Sequence, residues 1–309
     1  MKKLVYSGTG ALLLALLLVA CSGSKETKSP AASEVKVHQY VSSGAGIFEN
    51  AYILELANGL VVVDATLTVS SSKELKAQIE KLGKPLKAVL ITHGHPDHYN
   101  GLGNLVGKDE KVPIYSTQSV LDVIAESDSA KEGQWVSRFG KEWPMNRRFP
   151  NHMLRNDESV TIEGVKFQVK ELGEGESHSD TYWLVDNGTH KLAFIGDVVL
   201  NGTHAYLADG HYQAWLDNLT RLQTDLKGVD TLYPGHGEPG GLAMLAWQKQ
   251  YIETYVQNVK TLLANKKQLT DADKAELVKK MKEFLPSDKL EFLIAIGADA
   301  VAGQVASSK

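Results

Sequence analysis

The chain has 309 residues, 43% of them hydrophobic and 23% charged, with a formal net charge of −4. That length allows one large core or two small ones. With no basic block beyond the N-terminus, the composition argues against a nucleic-acid partner. A single cysteine, Cys21, excludes an intrachain disulfide and a cysteine-held metal, so any metal must be bound by histidine and carboxylate.

Met1-Lys2-Lys3 is a short basic start, and Ala11 to Ala20 is an apolar run too short for a comfortable membrane span. It ends in Leu18-Val19-Ala20-Cys21, similar to a bacterial lipobox. That similarity implies lipidation of Cys21 after cleavage, a membrane anchor, and a place in the bacterial cell envelope. With Ser22 next, it implies the periplasmic face of the outer membrane. Residues 22–34 are rich in Ser, Lys, Ala and Pro and read as a flexible tether.

The folded pattern starts at residue 35. Val35–Val41, Tyr52–Leu56 and Leu60–Asp64 read as strands, the last two joined by an Asn58-Gly59 turn. Ser70–Leu82 has the period of an amphipathic helix, with a run of serines at its start. Lys87–Thr92 is a buried strand, Val112–Ser116 another, and Ser119–Glu126 a helix. Residues 127–156 lack periodicity and suggest a lid or pocket insert. Two hairpins follow, Ser159–Ile162 with Lys166–Leu172, and Thr181–Val185 with Lys191–Ile195. Then come a helix over Tyr212–Thr224, a strand over Val229–Tyr233, and helices over Leu242–Ala264, Asp271–Glu283 and Asp288–Ala298. Strands then helix, twice over, suggests two similar halves spanning 35–265, with C-terminal helices over 266–309. Trp135, Trp143 and Trp215 read as core.

Between the strand ending at Thr92 and the next helix stands His93-Gly94-His95-Pro96-Asp97-His98. Open α/β sheets place ligands at the carboxyl ends of strands. A tight loop with Gly and Pro can aim three imidazoles and a carboxylate at one point. Nitrogen and oxygen donors of this kind suit zinc, and also iron or manganese. Three more donors follow strands in loops: His178 in a glycine-bearing loop, Asp197 in Gly196-Asp197, and His236 in Gly235-His236-Gly237. Singly, each is an ordinary turn. Together they supply five imidazoles and two carboxylates, enough for two ions with open positions, the catalytic rather than the structural pattern.

This set resembles the metallo-β-lactamase superfamily, and Asp64, closing a strand, matches that family's early aspartate. The resemblance implies an αββα sandwich of two mixed sheets flanked by helices, with the metal site at one edge. It implies that His93, His95 and His178 bind one divalent metal, most simply Zn²⁺, and that Asp97, His98 and His236 bind a second. Asp197 would bridge them, and Asp64 would steady the histidine loop. His204 and Tyr206 follow Asp197 closely enough to reach the pocket. The implied activity is hydrolysis of a small-molecule ester, lactone, thioester or β-lactam. A hydroxide between the metals would attack the carbonyl, and Asp97 would relay the proton. An iron-dependent sulfur or oxygen redox enzyme is the alternative on the same fold.

Overall fold

The computed structural model describes residues 35–107, 111–187, 189–264 and 266–307, together with 1, 3 and 4. Cys21, the rest of the expected signal and the tether lie outside the described residues. The described residues from 35 onward form one compact unit. Among the described residues no helix is long and apolar enough to cross a membrane.

The first sheet is built in chain order from β1 (Lys36–Val41), β2 (Asn50–Glu55), β3 (Leu60–Val63), β4 (Leu86–Leu90), β5 (Ile114–Thr117) and β6 (His152–Leu154). Its first three strands run antiparallel; β3, β4, β5 and β6 pair in parallel. Between them lie α1 (Val69–Lys81), α2 (Pro96–Tyr99), α3 (Leu102–Val106) and α4 (Gln118–Phe139). The second sheet has the order β11-β10-β9-β8-β7, from β7 (Ser159–Ile162), β8 (Val165–Gly173), β9 (Asp180–Asp186), β10 (Lys191–Gly196) and β11 (Thr231–Pro234). Here only β10 and β11 are parallel. Around it are α5 (Tyr212–Asp225), α6 (Ala243–Leu263), α7 (Asp271–Phe284) and α8 (Phe292–Ser307).

Three apolar layers hold four layers of structure together. Tyr52, Leu54, Val61 and Val63 of one sheet meet Phe167, Val169, Trp183 and Phe194 of the other. The opposite faces, through alternation along each strand, carry Ile53, Val62 and Val89 against Leu75, Leu102 and Val120 of the outer helices. Ala193, Ile195 and Leu232 meet Trp215, Leu219, Tyr251 and Ile294. This is the αββα sandwich that the resemblance implies. α7 and α8 belong to the last layer, so the C-terminal helices share the core of the residues before 265.

Two expectations need correction. Residues 127–139 are not irregular: they continue α4, a helix of 22 residues. Only its Val120 and Ile124 are buried, so the far half stands off the core and shows no apolar period. The histidine run is not all loop either. Pro96 opens a helical turn, α2, with Asp97 and His98 in it, as Pro's fixed φ favours at a first helical position.

The parallel pairs place the site. β3 and β4 end side by side, so Asp64 N donates to Leu90 O at 2.9 Å. β10 and β11 also end together, and Gly235 N donates to Gly196 O at 2.8 Å. The two sheets join at this edge, where Thr181 N donates to Thr92 O at 3.0 Å.

Candidate metal centre

Asp64 stands at φ 62°, a left-handed conformation that costs an aspartate energy and marks a backbone held by its surroundings. Its carboxylate accepts from Thr92 N (3.0 Å, Oδ1) and from the Thr92 hydroxyl (2.8 Å, Oδ2), and its Oδ2 lies 2.8 Å from His98 Nδ1. Because the Thr92 hydroxyl gives its hydrogen to Asp64, it can only accept from His93 Nδ1, 3.0 Å away. One carboxylate thus sets two rings, with both Nε2 lone pairs facing the site. Both Nε2 atoms are buried without a hydrogen-bond partner. Burial, with His98 and His95 nearby, holds His93 well below the usual imidazole pKa and keeps it neutral.

Six side chains from the segments after β4, β10 and β11 gather into two groups, with a seventh, unforeseen one from the loop after β8. The first is His93, His95 and Glu176; the second is Asp97, His98, Asp197 and His236. In the first, Glu176 Oε2 lies 3.0 Å from His95 Nδ1 and 3.5 Å from His93 Nε2. In the second, His236 Nε2 lies 3.2 Å from Asp97 Oδ2 and 3.3 Å from Asp197 Oδ2; His98 Nε2 lies 3.4 Å from Asp97 Oδ2 and 3.5 Å from Asp197 Oδ1.

These distances fit cations. Ligands at the usual zinc distances of about 2.0–2.2 Å, placed tetrahedrally, stand about 3.3–3.6 Å from one another. Both Glu176 oxygens and Asp197 Oδ1 are buried with no hydrogen-bond partner, a costly arrangement for charged atoms unless something positive sits among them. Protons respond to the same field. Burial works to lower the pKa of His98 and His236, but Asp97 and Asp197 outweigh it and raise both, His236 to about 10. The imidazoles in turn overcome burial and hold Asp97 and Asp197 low. A bound cation would take the place of those protons.

His178, expected as the third donor of the first group, lies outside it. Its side chain is 49% exposed, and its Nδ1 is 2.6 Å from His211 Nε2. The cause is a tight turn. Buried Asp180 accepts from Glu176 N (2.6 Å), Ser177 N (3.1 Å) and the Ser177 hydroxyl (2.6 Å). The turn sends Glu176 inward and His178 outward. Burial raises Glu176 to about 8, although His95 opposes the shift. Asp197 sits with the second group, its free Oδ1 available to a second ion.

Two further residues escaped the sequence reading. Asp209 Oδ2 lies 2.9 Å from His95 Nε2, which fixes that ring so that Nδ1 faces Glu176. Lys131 of α4 donates to Asp209 Oδ1 (3.3 Å) and to Tyr206 OH (3.1 Å). No local motif announces either. Glu176 had a weak signal in the Ser177-x-x-Asp180 turn pattern.

Gly235 shows how tight the centre is: a Cβ there would lie 1.9 Å from Asp197 Oδ1 and 2.8 Å from His98 Cε1. Asn50 braces the same loop, donating to Pro234 O (2.9 Å) and Gly237 O (2.7 Å). Behind the site Glu49 is buried with both oxygens unpartnered, and burial raises its pKa well above the ordinary value, so it is neutral.

The centre opens into a cleft of about 630 Å³, counting space open to solvent. Tyr206 lines it with its ring 5.1 Å from His95. His204 borders it as well, but its nitrogens are engaged with Tyr251 OH (3.0 Å) and Ser287 O (2.9 Å). Trp143 and Trp215 are core, as expected, whereas Trp135 lines the cleft, because the outer half of α4 leans over it rather than over the core.

A family model described as the metallo-beta-lactamase superfamily matches residues 44–236. The chain is 34% identical over 218 residues to a linear primary-alkylsulfatase of Pseudomonas sp. (strain ATCC 19151), a match covering 60% of this chain and 41% of that protein. It is 25% identical over 208 residues to a metallo-beta-lactamase type 2 of Bacillus cereus, covering 66% and 72% respectively. Among solved structures, a metallo-beta-lactamase family protein from Thermus thermophilus superposes with a TM-score of 0.65 at 18% identity, over 88% of this chain and 93% of that one.

Proposed function

From the premise that the chain belongs to the metallo-beta-lactamase superfamily and is a hydrolase of its fold, we propose that it cleaves an ester carrying an apolar chain. The observation that carries this reading is the opening of two cation-ready donor groups onto a cleft walled by Leu67, Trp135, Phe139, Leu200, Phe292 and Leu293.

Two divalent ions bound here, zinc as the first choice and iron or manganese as the next, would supply Lewis acidity and a water acidic enough to act as nucleophile near neutral pH. His93, His95 and Glu176 would hold one, Asp97, His98 and His236 the other, and Asp197 would serve both. Two dications bring four positive charges against the three carboxylates of the two groups, leaving one positive charge for an anionic nucleophile. Asp97 borders the cleft, where its carboxylate would take a proton from the attacking water and pass it to the leaving oxygen or, in a thioester, sulfur. The apolar wall excludes water and aligns the chain of the substrate. Carboxylic esters, lactones and thioesters meet these demands at a carbonyl. The likeness to the alkylsulfatase supports testing alkyl sulfate esters beside them.

The lipobox-like Leu18-Val19-Ala20-Cys21 supports a lipid anchor at Cys21 and a place in the bacterial envelope, on the periplasmic face of the outer membrane. The test of function is reconstitution with zinc, elemental analysis, and turnover of octyl esters of each class. Two metals per chain and activity that chelation removes are expected. A metal-stripped enzyme as fast as the loaded one overturns the reading.

A further inference from the structure

We propose that Lys131 is a specificity-determining residue, whose ammonium binds the anionic head of an amphiphile while Trp135 and Phe139 hold its tail. The inference rests on the hydrolase reading above and deepens it.

Lys131 is the sole lysine or arginine among the described residues lining the cleft. Its side chain is 12% exposed, an expensive position for an ammonium unless it is paired. Its one charged partner among the described residues, Asp209, is shared: the same carboxylate takes His95 Nε2–H through its other oxygen. The remaining contact is Tyr206, by hydroxyl and by ring face, 4.9 Å from the ring centre. An ammonium has three donors, so one is left for a ligand in the cleft.

The rest of the helix face explains what kind of ligand. Positions 131, 135 and 139 are four apart and share one side of α4. At 1.5 Å of rise per residue they span about 12 Å. An extended chain advances about 1.2 Å per bond, so this stripe matches roughly ten bonds of an alkyl chain. Phe292 and Leu293, at the start of α8, line the same cleft, and Arg138 lies 4.2 Å over the Phe292 ring. Charge at the metal end and hydrocarbon along the length make a site for a monoanionic head on a linear tail. A neutral ester of equal length would use only the tail half.

The probes are octyl sulfonate and octanol, neither of which can be hydrolysed, titrated calorimetrically into zinc-reconstituted full-length protein. Lys131→Met should weaken sulfonate binding about ten- to hundredfold, the factor that a hydrogen bond to a charged group commonly carries, and leave octanol unchanged. Lys131→Arg should retain the preference for sulfonate. Trp135→Ala should weaken both ligands alike. If Lys131→Met leaves the ratio of the two affinities where it was, with or without loss of metal, Lys131 serves only to hold Asp209 and the proposal is overturned. Wild-type protein that binds neither probe overturns it as well. Failure of the hydrolase reading would look different: sulfonate preference intact, with no octyl ester turned over.

Discussion

Asp64 Oδ2 lies 2.8 Å from His98 Nδ1, and the same carboxylate takes both the amide and the hydroxyl of Thr92. A residue outside both donor groups therefore decides which nitrogen two histidines present. Such outer partners commonly carry 10- to 100-fold in metal affinity.

Asp64→Asn should thus lower zinc affinity by about that factor, because an amide cannot accept at both oxygens as the carboxylate does. The loss should fall on the second group first, since His98 is bound directly and His93 only through Thr92. Competition with a chromophoric chelator measures it; unchanged affinity at both sites would refute the role.

Glu176→Gln and His178→Ala separate the two candidates for the first group. The structure predicts that Glu176→Gln loses about one metal per chain, while His178→Ala keeps both, in line with three-donor sites that lose an anionic ligand. Elemental analysis after dialysis decides, and the reverse result would restore His178 as the donor.

The metal-free protein should lose stability as pH rises. Glu176 and Asp180 have folded pKa values raised to about 8 and about 7, and His95 and His236 to about 10. For Glu176 and Asp180 burial is the largest cause of the shift. For His95 and His236 burial opposes it and the neighbouring carboxylates prevail. A raised pKa contributes stability below the unfolded value that is lost as pH climbs through the folded one. The acids lose theirs from about pH 4 to 8 and the histidines from about 6.5 to 10. Thermal melts of chelated protein should fall between about pH 6.5 and 9, above the range in which His93, held low, works the other way, and zinc should remove most of that slope. A flat profile without metal would contradict the coupling.

Gly235→Ala should be far more damaging than its size suggests. The added methyl meets Asp197 Oδ1 at 1.9 Å, so the carboxylate or the β11 loop must move. Activity should fall by about 100-fold or more, the effect of roughly an ångström of misplacement, with the melting temperature of the chelated protein changed less. Full activity would show that the loop relaxes freely.

Cys21→Ser should free the protein from the membrane fraction or leave it unprocessed, given the lipobox-like run before it. Fractionation identical to wild type would end the anchor proposal.

The fold class and most of the centre were legible in the order of the residues. Donors adjacent in the chain, as in His93-Gly94-His95-Pro96-Asp97-His98, must share a locality whatever surrounds them. Strands with period two and turns such as Asn58-Gly59 and Glu163-Gly164 set their own hairpins, the latter with φ of 50° and 81°. Direction and distant company came from packing alone. Glu176 and His178 stand two residues apart in one loop, and either has the chemistry to bind a metal; the Asp180 turn chose between them. Lys131 and Asp209 are 78 residues apart, and nothing local ties one to the other. Trp135 reads as core by composition, yet it lines the cleft, because the outer half of α4 leaves the sheet. Local spacing fixes which residues can be neighbours along a segment; the packing of the two sheets and their helices fixes which way each segment faces, and the choice of ligands follows from that.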